Sequence, residues 1–221
     1  MPRLILFDCD GTLTDSHALI VSAMQQAFTK AAIEPPTNAA VSAIIGMSLR
    51  GAVLALLDKQ QADNSALVEK VIDGYRDSYR ESEQQVKLFP QVPETLEELR
   101  KRGYWLGVVT GKSHAGLLRV LETFRLSDLF LVLRTADCTH SKPHPAMVLE
   151  CMTEMGVIPD QTMVVGDALL DIQMANAAGV RSIGVSFGVA DSGDLMTAGA
   201  QAVVDDFAAL LDHFHPRHSF D

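Results

Sequence analysis

Two aspartates follow an apolar run near the start of the chain, in the segment LILFDCDGTLTDS at residues 4–16. Side chains two residues apart on an extended segment point the same way, so we expect Asp8 and Asp10 to share one side. Two carboxylates at that range repel each other, so one must be protonated or a cation must lie between them. The pair is therefore a candidate for chemistry, whereas the neighbouring Asp15 and Ser16 are typical of a helix cap.

A second acidic pair, Asp167 and Asp171, stands in the segment VVGDALLD. Asp167 ends an apolar run, and Asp171 lies four residues on, which is the same face if a helix starts at once. Carboxylates that converge without histidine or thiolate favour a hard cation held by oxygen ligands, most naturally Mg²⁺. We therefore expect Asp8, Asp10, Asp167 and Asp171 to hold Mg²⁺. The alternative for Asp171 is an acid in the first turn of a helix, where the helix dipole favours it.

Two other apolar runs end in groups suited to phosphate. Thr110 and Gly111 offer a hydroxyl and an unobstructed backbone N–H near a predicted helix N-terminus, which suits phosphate oxygens. Lys142 lies in the segment SKPHP, where the prolines keep a helix from including it. A lysine there can offset the repulsion between an anionic nucleophile and an anionic substrate. An ordinary surface lysine is the alternative.

Two further cations are candidates for contact with a substrate. Lys112 directly follows Gly111, and a solvated lysine at the start of a helix is the alternative. Arg50 follows a glycine-led turn in the segment IIGMSLRG, and such a turn can swing over an active site. We expect Arg50 either to touch the remote end of the substrate or to be a surface helix residue.

These residues are distributed over a pattern of short apolar runs that alternate with helical segments. Continuous apolar strands that alternate with helices predict an α/β fold with a parallel sheet covered on both faces. Ligands bind beyond the carboxyl ends of such strands. The predicted strands are residues 3–8, 105–111, 129–134, 162–167, 181–186 and, more weakly, 202–206.

The interval between the first two runs is too long for a crossover helix. It contains amphipathic helical stretches at residues 18–31, 39–45, 49–57 and 67–79. We therefore predict an inserted helical cap at residues 16–88, and an α/β core made of residues 1–15 and 89–221.

The composition, with 48% hydrophobic and 21% charged residues, suits a globular protein. A formal charge of −10 argues against a broad basic surface for nucleic acid or anionic membranes, although a few local cations can bind a small anionic substrate. We find no secretory signal, transmembrane stretch or CxxC spacing in the sequence. We expect a cytoplasmic protein, a monomer or weak homodimer, whose partner is a small phosphorylated metabolite.

The chain resembles the haloacid dehalogenase superfamily. DCDGTLTD is similar to its first motif, Thr110 to its second, Lys142 to its third and GDALLD to its fourth. The resemblance covers nearly the whole chain and implies a Rossmann-like core with a C1 cap. It is greatest to the branch of phosphoglycolate phosphatases and β-phosphoglucomutases, although TGKS replaces the more frequent TNK.

The resemblance also implies catalytic roles. Asp8 would be the nucleophile that forms an aspartyl-phosphate, and Asp10 would be the general acid and base. Both would help to bind Mg²⁺, Asp10 through its backbone carbonyl. Thr110 and Lys142 would hold the transferring phosphoryl group.

The resemblance further implies that Asp167 would complete the metal site, with Asp171 nearby. The implied activity is a Mg²⁺-dependent phosphomonoester hydrolase of the phosphoglycolate phosphatase type. A phosphomutase is the alternative, because an aspartyl-phosphate can pass its phosphoryl group to another hydroxyl. A phosphorelay receiver also gathers aspartates, a threonine and a lysine on a parallel sheet, but it has no need of a cap.

Overall fold

A computed structural model of the 221-residue chain describes residues 2–216. Met1 and residues 217–221, the end of the predicted core, lie outside the described residues. The strands are β1 Leu4–Phe7, β2 Thr14–Asp15, β3 Lys87–Leu88, β4 Trp105–Thr110, β5 Val132–Thr135, β6 Thr162–Gly166, β7 Arg181–Val185 and β8 Ala202–Val204. The α-helices are α1 His17–Lys30, α2 Asn38–Ser42, α3 Leu49–Leu56, α4 Lys59–Ala62, α5 Ser65–Ser82, α6 Val92–Lys101, α7 His114–Thr123, α8 Ala146–Met155, α9 Leu169–Ala177 and α10 Ser192–Ala198. Within residues 2–216, no helix has both the length and the apolar composition needed to cross a bilayer.

Six of the strands form a parallel sheet in the spatial order β5-β4-β1-β6-β7-β8. β1 is central, since Leu4 pairs with Trp105 of β4 on one side and with Thr162 of β6 on the other. All of β1 is buried, because helices cover both faces of the sheet, and this explains the unbroken apolar run. The predicted α/β class with a parallel sheet is confirmed.

The two faces of β1 pack against different helices. Ile5 and Phe7 belong to a buried cluster with residues of α6 and α7, whereas Leu4 and Leu6 belong to a cluster with residues of α8 and α9. Burying each of these side chains stabilises the fold by roughly 1.5–3 kcal/mol. The strand is thereby fixed, and the residues directly after Phe7 are held at the carboxyl edge of the sheet.

The helices α1–α5 form a separate layer, which we call the cap layer, above that edge. Its own buried cluster includes Met24, Phe28, Val53 and Ile72. Each amphipathic stretch predicted between residues 18 and 79 contains a helix, although α2 ends at Ser42 and not at residue 45, and the short α4 was not predicted. We retain residues 16–88 as the proposed extent of the cap.

The chain enters and leaves the cap layer through a two-stranded ribbon. β2 and β3 pair antiparallel, with Thr14 opposite Leu88 and Asp15 opposite Lys87. This ribbon was not predicted, because two-residue strands are too short to give a periodic pattern.

Candidate active site

Asp8 directly follows β1, and its backbone extends the sheet by one hydrogen bond, from Asp8 N to Val165 O at 2.9 Å. Its side chain is buried. Lys142 Nζ donates to Asp8 Oδ1 at 2.5 Å, whereas Oδ2 has no hydrogen-bond partner among residues 2–216. Lys142 therefore holds one oxygen of the predicted nucleophile in place.

Two further buried carboxylates approach Asp8. Asp167 follows β6, Asp171 lies in the first turn of α9, and one carboxylate oxygen of each lies within 4.8 Å of the others and of an Asp8 oxygen. Both carboxylate oxygens of Asp167 accept a hydrogen bond, which fixes the orientation of its side chain. Thr12 Oγ1 donates to Oδ1 at 2.8 Å, and Val189 N donates to Oδ2 at 2.9 Å. The structure thus brings together three of the four residues that were predicted to bind metal.

Asp171 has two structural roles at once. Its Oδ2 accepts a hydrogen bond from Ala168 N at 3.0 Å and so caps α9. Its Oδ1 forms an ion pair with Lys142 Nζ at 2.6 Å, without the directionality of a hydrogen bond. Asp171 is therefore both an acid in the first turn of a helix and a member of the acidic cluster, which were the two alternatives considered for it. Direct coordination of metal by Asp171 stays a prediction.

When ionised, the three buried carboxylates of the cluster outnumber its one buried ammonium. Burial raises the pKa of Asp8 to about 7 although Lys142 opposes the shift, and burial raises the pKa of Asp167 well above its usual value, with Asp8 and Asp171 adding to the effect. Burial opposes the charge on Lys142, yet the carboxylates of Asp171 and Asp8 raise its pKa. Three carboxylates and one ammonium leave a deficit of positive charge in an oxygen-only donor set, which suits a divalent cation.

Asp10 lies apart from this cluster. Its Oδ1 accepts from Ser16 Oγ at 2.7 Å, and its Oδ2 lies 2.9 Å from Lys112 Nζ. The Asp10 carboxylate is thus not one of the three that form the cluster, and it is engaged instead by Ser16 and Lys112. Coordination through the Asp10 carbonyl stays a prediction. Ser16 occupies the N-cap position of α1, as expected, but its hydroxyl makes no cap hydrogen bond and instead donates to Asp10.

Thr110 and Lys112 lie on the loop after β4. Thr110 is buried, and its Oγ1 accepts from Lys112 N at 3.2 Å. The Lys112 side chain was expected to touch the substrate or to be solvated. It is only 10% exposed, and it donates to the Tyr79 hydroxyl of α5 at 3.1 Å in addition to pairing with Asp10. Lys112 therefore connects the edge of the sheet to the cap layer.

The cap layer is closed over the site. A Cβ atom on Gly111 would lie 2.4 Å from the carbonyl oxygens of Gly46 and Met47, so only glycine allows this approach. Next to that contact, Ser48 N donates to Ser141 Oγ at 2.8 Å. The turn before α3 thus rests on two loops of the sheet edge.

The model of the family described as haloacid dehalogenase-like hydrolase matches residues 5–185, which is most of the chain. This chain belongs to the haloacid dehalogenase-like hydrolases. It is therefore an enzyme, as predicted.

Individual relatives of this hydrolase carry phosphatase names. A phosphoglycolate phosphatase from Pseudomonas putida is 32% identical over 216 residues, covering 96% of this chain and 79% of the relative. A protein named "Probable phosphatase IndB" from Dickeya dadantii is 34% identical over 222 residues, covering 97% and 94%. The crystal structure of a predicted phosphoglycolate phosphatase from Haemophilus somnus has a TM-score of 0.86 at 27% identity, covering 96% and 97%. These likenesses confirm the predicted family and fold.

A cavity of about 350 Å³ lies between the sheet edge and the cap layer of the hydrolase. Asp8, Asp10, Thr110, Gly111 and Lys112 all line it. Four arginines join Lys112 in its walls, namely Arg50, Arg76, Arg80 and Arg119. Five cationic side chains thus line the cavity, and three of them, Arg50, Arg76 and Arg119, form ion pairs with neighbouring carboxylates.

Arg50 lies at this cavity, as expected for a residue near the remote end of a substrate. Its guanidinium forms an exposed ion pair with Glu69. Contact with the substrate stays a prediction for Arg50.

Four residues that hydrogen-bond to Asp10, Lys112 or Asp167 were missed from the sequence: Thr12, Ser16, Tyr79 and Val189. Thr12 lies inside the first motif and Ser16 directly follows it, and their position beside the acids was a usable signal. Tyr79 gave no such signal, because an aromatic residue on an amphipathic helix fits a core position equally well. Val189 contributes a backbone N–H, which no side-chain pattern reveals.

Proposed function

We propose that this hydrolase is a Mg²⁺-dependent phosphatase that removes the phosphoryl group from a small phosphorylated metabolite through an aspartyl-phosphate at Asp8. The observation that carries the proposal is the asymmetry of the Asp8 carboxylate: Lys142 holds Oδ1, Oδ2 has no hydrogen bond within residues 2–216, and the carboxyl group lies beside two further buried acids. The phosphatase names of the relatives support it.

The acidic cluster is the proposed metal site. Asp8 and Asp167 would hold Mg²⁺ together with the Asp10 backbone carbonyl, with Asp171 nearby. Carboxylate and carbonyl oxygens are the ligands that Mg²⁺ prefers. When bound, the ion would neutralise charge on the phosphoryl group and so reduce its repulsion of the nucleophile.

In the first half of the reaction, Asp8 Oδ2 forms a bond to phosphorus while the bond from phosphorus to the leaving oxygen breaks. Asp10 gives its proton to that oxygen, which departs as an alcohol. Lys142 and Thr110 hold the phosphoryl oxygens, because a loose transition state needs positioning and charge stabilisation above all.

In the second half, Asp10 takes a proton from a water molecule, whose oxygen attacks phosphorus. The bond from phosphorus to Asp8 breaks, inorganic phosphate forms and the carboxylate is regenerated. Contacts between the turn before α3 and the sheet edge limit the access of other water. A phosphomutase would differ only in the acceptor, a substrate hydroxyl in place of water.

The proposal is tested with purified protein and 4-nitrophenyl phosphate. We expect phosphate release with Mg²⁺, its loss with EDTA, and a loss of about three orders of magnitude or more in Asp8→Asn. Asp15→Asn is the matched control, because Asp15 belongs to the same segment but is exposed on β2. Wild-type turnover by Asp8→Asn would remove Asp8 as the nucleophile.

The substrate and the acceptor need a second measurement. A panel of phosphoglycolate, sugar phosphates, nucleotides and pyrophosphate, compared by kcat/KM, identifies the preferred class. Release of inorganic phosphate supports the phosphatase, whereas isomerised sugar phosphate supports the mutase. The cytoplasmic location and the monomer or weak homodimer stay predictions.

A further inference from the structure

The cavity is larger than a short leaving group requires. Its volume of about 350 Å³ falls within the range of roughly 300–1,000 Å³ that is usual for sites of whole small-molecule ligands. The acids, Thr110 and Lys112 occupy the sheet side of this space. The cap side is therefore available to the part of the substrate that leaves as an alcohol.

An aromatic pair forms part of the wall on the cap side. Tyr75 and Tyr79 lie four residues apart on α5, their ring centroids are 5.8 Å apart, and their planes differ by 29°. Both line the cavity. Residues at this spacing share one face of a helix, so α5 presents a continuous aromatic surface to the cavity.

The two tyrosines differ in what they already bind. Tyr79 is engaged by Lys112, whose Nζ donates to its hydroxyl and lies 4.8 Å from its ring centroid. The Tyr75 hydroxyl has no hydrogen-bond partner among residues 2–216, and its one recorded ring contact is with Tyr79. Tyr75 is thus an aromatic group in the cavity wall that the proposed chemistry does not use.

The remaining wall near this pair is apolar. Ile20 and Met24 of α1 are buried in the cap layer and line the cavity, as do Ile44 and Ile45 before α3. Aliphatic side chains around an aromatic pair favour a ligand with an apolar, flat body.

We propose, on the basis of the phosphatase function above, that the substrate is a phosphomonoester whose leaving alcohol carries a planar aromatic or heteroaromatic ring that packs against Tyr75. The phosphoryl group lies at Asp8 and Lys142, and the ring extends into the cap half of the cavity. Aromatic rings attract each other beyond the effect of buried area, whereas a puckered ring of the same size lacks that attraction. Tyr75 is then a specificity-determining residue.

The test compares 2-phenylethyl phosphate, 2-cyclohexylethyl phosphate and phosphoglycolate with the Mg²⁺-loaded enzyme. The first two esters release primary alcohols of similar acidity and size. A difference in kcat/KM between them therefore reports the planar ring and not the acidity of the leaving alcohol. We expect kcat/KM to be highest for 2-phenylethyl phosphate, by about three- to tenfold over the cyclohexyl ester.

Two variants locate the effect. Tyr75→Leu removes the ring and is expected to bring the ratio of kcat/KM for the phenyl and cyclohexyl esters towards one, while Tyr75→Phe keeps the ring and the ratio. Thermal denaturation checks that both variants fold. If Tyr75→Leu does not fold, the ratio of kcat/KM for the phenyl and cyclohexyl esters in the wild type decides the proposal.

Three results would overturn this substrate class: equal kcat/KM for the two ring esters in the wild type, an unchanged ratio in folded Tyr75→Leu, or a clear preference for phosphoglycolate. Failure of the phosphatase function itself looks different. In that case neither these three esters nor 4-nitrophenyl phosphate releases phosphate.

Discussion

The Lys112 ammonium lies 2.9 Å from the Asp10 carboxylate and donates to the Tyr79 hydroxyl of the cap layer at 3.1 Å. Burial opposes the charge on Lys112, but Asp10 and the neighbouring phenols raise its pKa well above the usual value, so it stays protonated. One cation thus joins the proposed acid and base to the layer that covers the cavity. We interpret Lys112 as a positioning residue for Asp10, a role that its place in the sequence did not indicate.

Replacing Lys112 by Met is expected to impair proton delivery by Asp10. The 4-nitrophenolate group can leave without being protonated, whereas an alkoxide needs a proton to leave. In Lys112→Met, kcat/KM should therefore fall about 10- to 100-fold for an alkyl phosphate and clearly less for 4-nitrophenyl phosphate. Lys112→Arg should restore part of the loss. Equal losses for the two esters would show that Lys112 serves the substrate and not Asp10.

Metal binding should depend on pH. Burial raises the pKa of Asp8 from 3.8 to about 7. The protonated form of Asp8 is therefore favoured in the folded protein, and its contribution to the free energy of unfolding is present at low pH and is lost as the pH rises from about 4 through about 7. Protons compete with Mg²⁺ for the same oxygens, so the Mg²⁺-induced rise in Tm should be larger at about pH 8 than at about pH 5.5. Thermal denaturation with Mg²⁺ or EDTA measures it.

Asp167→Asn is the control for this effect. It removes one acid of the cluster and should reduce the response of Tm to Mg²⁺ at both pH values. An identical Mg²⁺ shift at the two pH values in the wild type would contradict competition between protons and metal.

Removing the ammonium of Lys142 should destabilise the fold. Lys142→Met leaves Asp8 and Asp171 buried without their cation, and breaking a buried ion pair in this way costs about 3–5 kcal/mol of unfolding free energy. Urea denaturation in EDTA measures the loss. Lys87→Met, at an exposed position of β3, should change the stability by about 0.5 kcal/mol or less. Similar losses in the two variants would argue against the buried pairs.

Gly111→Ala should disturb closure of the cap layer. The new Cβ would meet the carbonyl oxygens of Gly46 and Met47 at 2.4 Å, so the turn before α3 must move, at a cost of about 1–3 kcal/mol. We expect kcat/KM to fall about tenfold or more, because the cavity then admits water. Gly193→Ala is the control, since a Cβ there meets nothing within 4 Å. Unchanged kcat/KM in Gly111→Ala would show that this contact has no part in turnover.

Features set by single strands and helices could be predicted from the sequence, whereas contacts that depend on how separate elements pack could not. Asp8 and Asp167 come directly after buried strands, so the parallel sheet alone brings them together. The partners of the Asp10 carboxylate, Ser16 and Lys112, were not predicted, because they depend on the turn at Gly11 with φ 91° and on the loop after β4. The contact of Lys112 with Tyr79 depends on how the cap layer sits above the sheet, and no local pattern encodes that distance.

The ribbon of β2 and β3 brings the two ends of the cap layer side by side, with Thr14 opposite Leu88. A segment whose ends already meet can be exchanged for one of different length or shape without displacing the strands on either side of it. The carboxylates that would carry out the chemistry and the helices that would select the alcohol thus belong to structurally separable parts of the chain. The part that would select the alcohol can therefore be remodelled while the strands that hold the carboxylates stay in place.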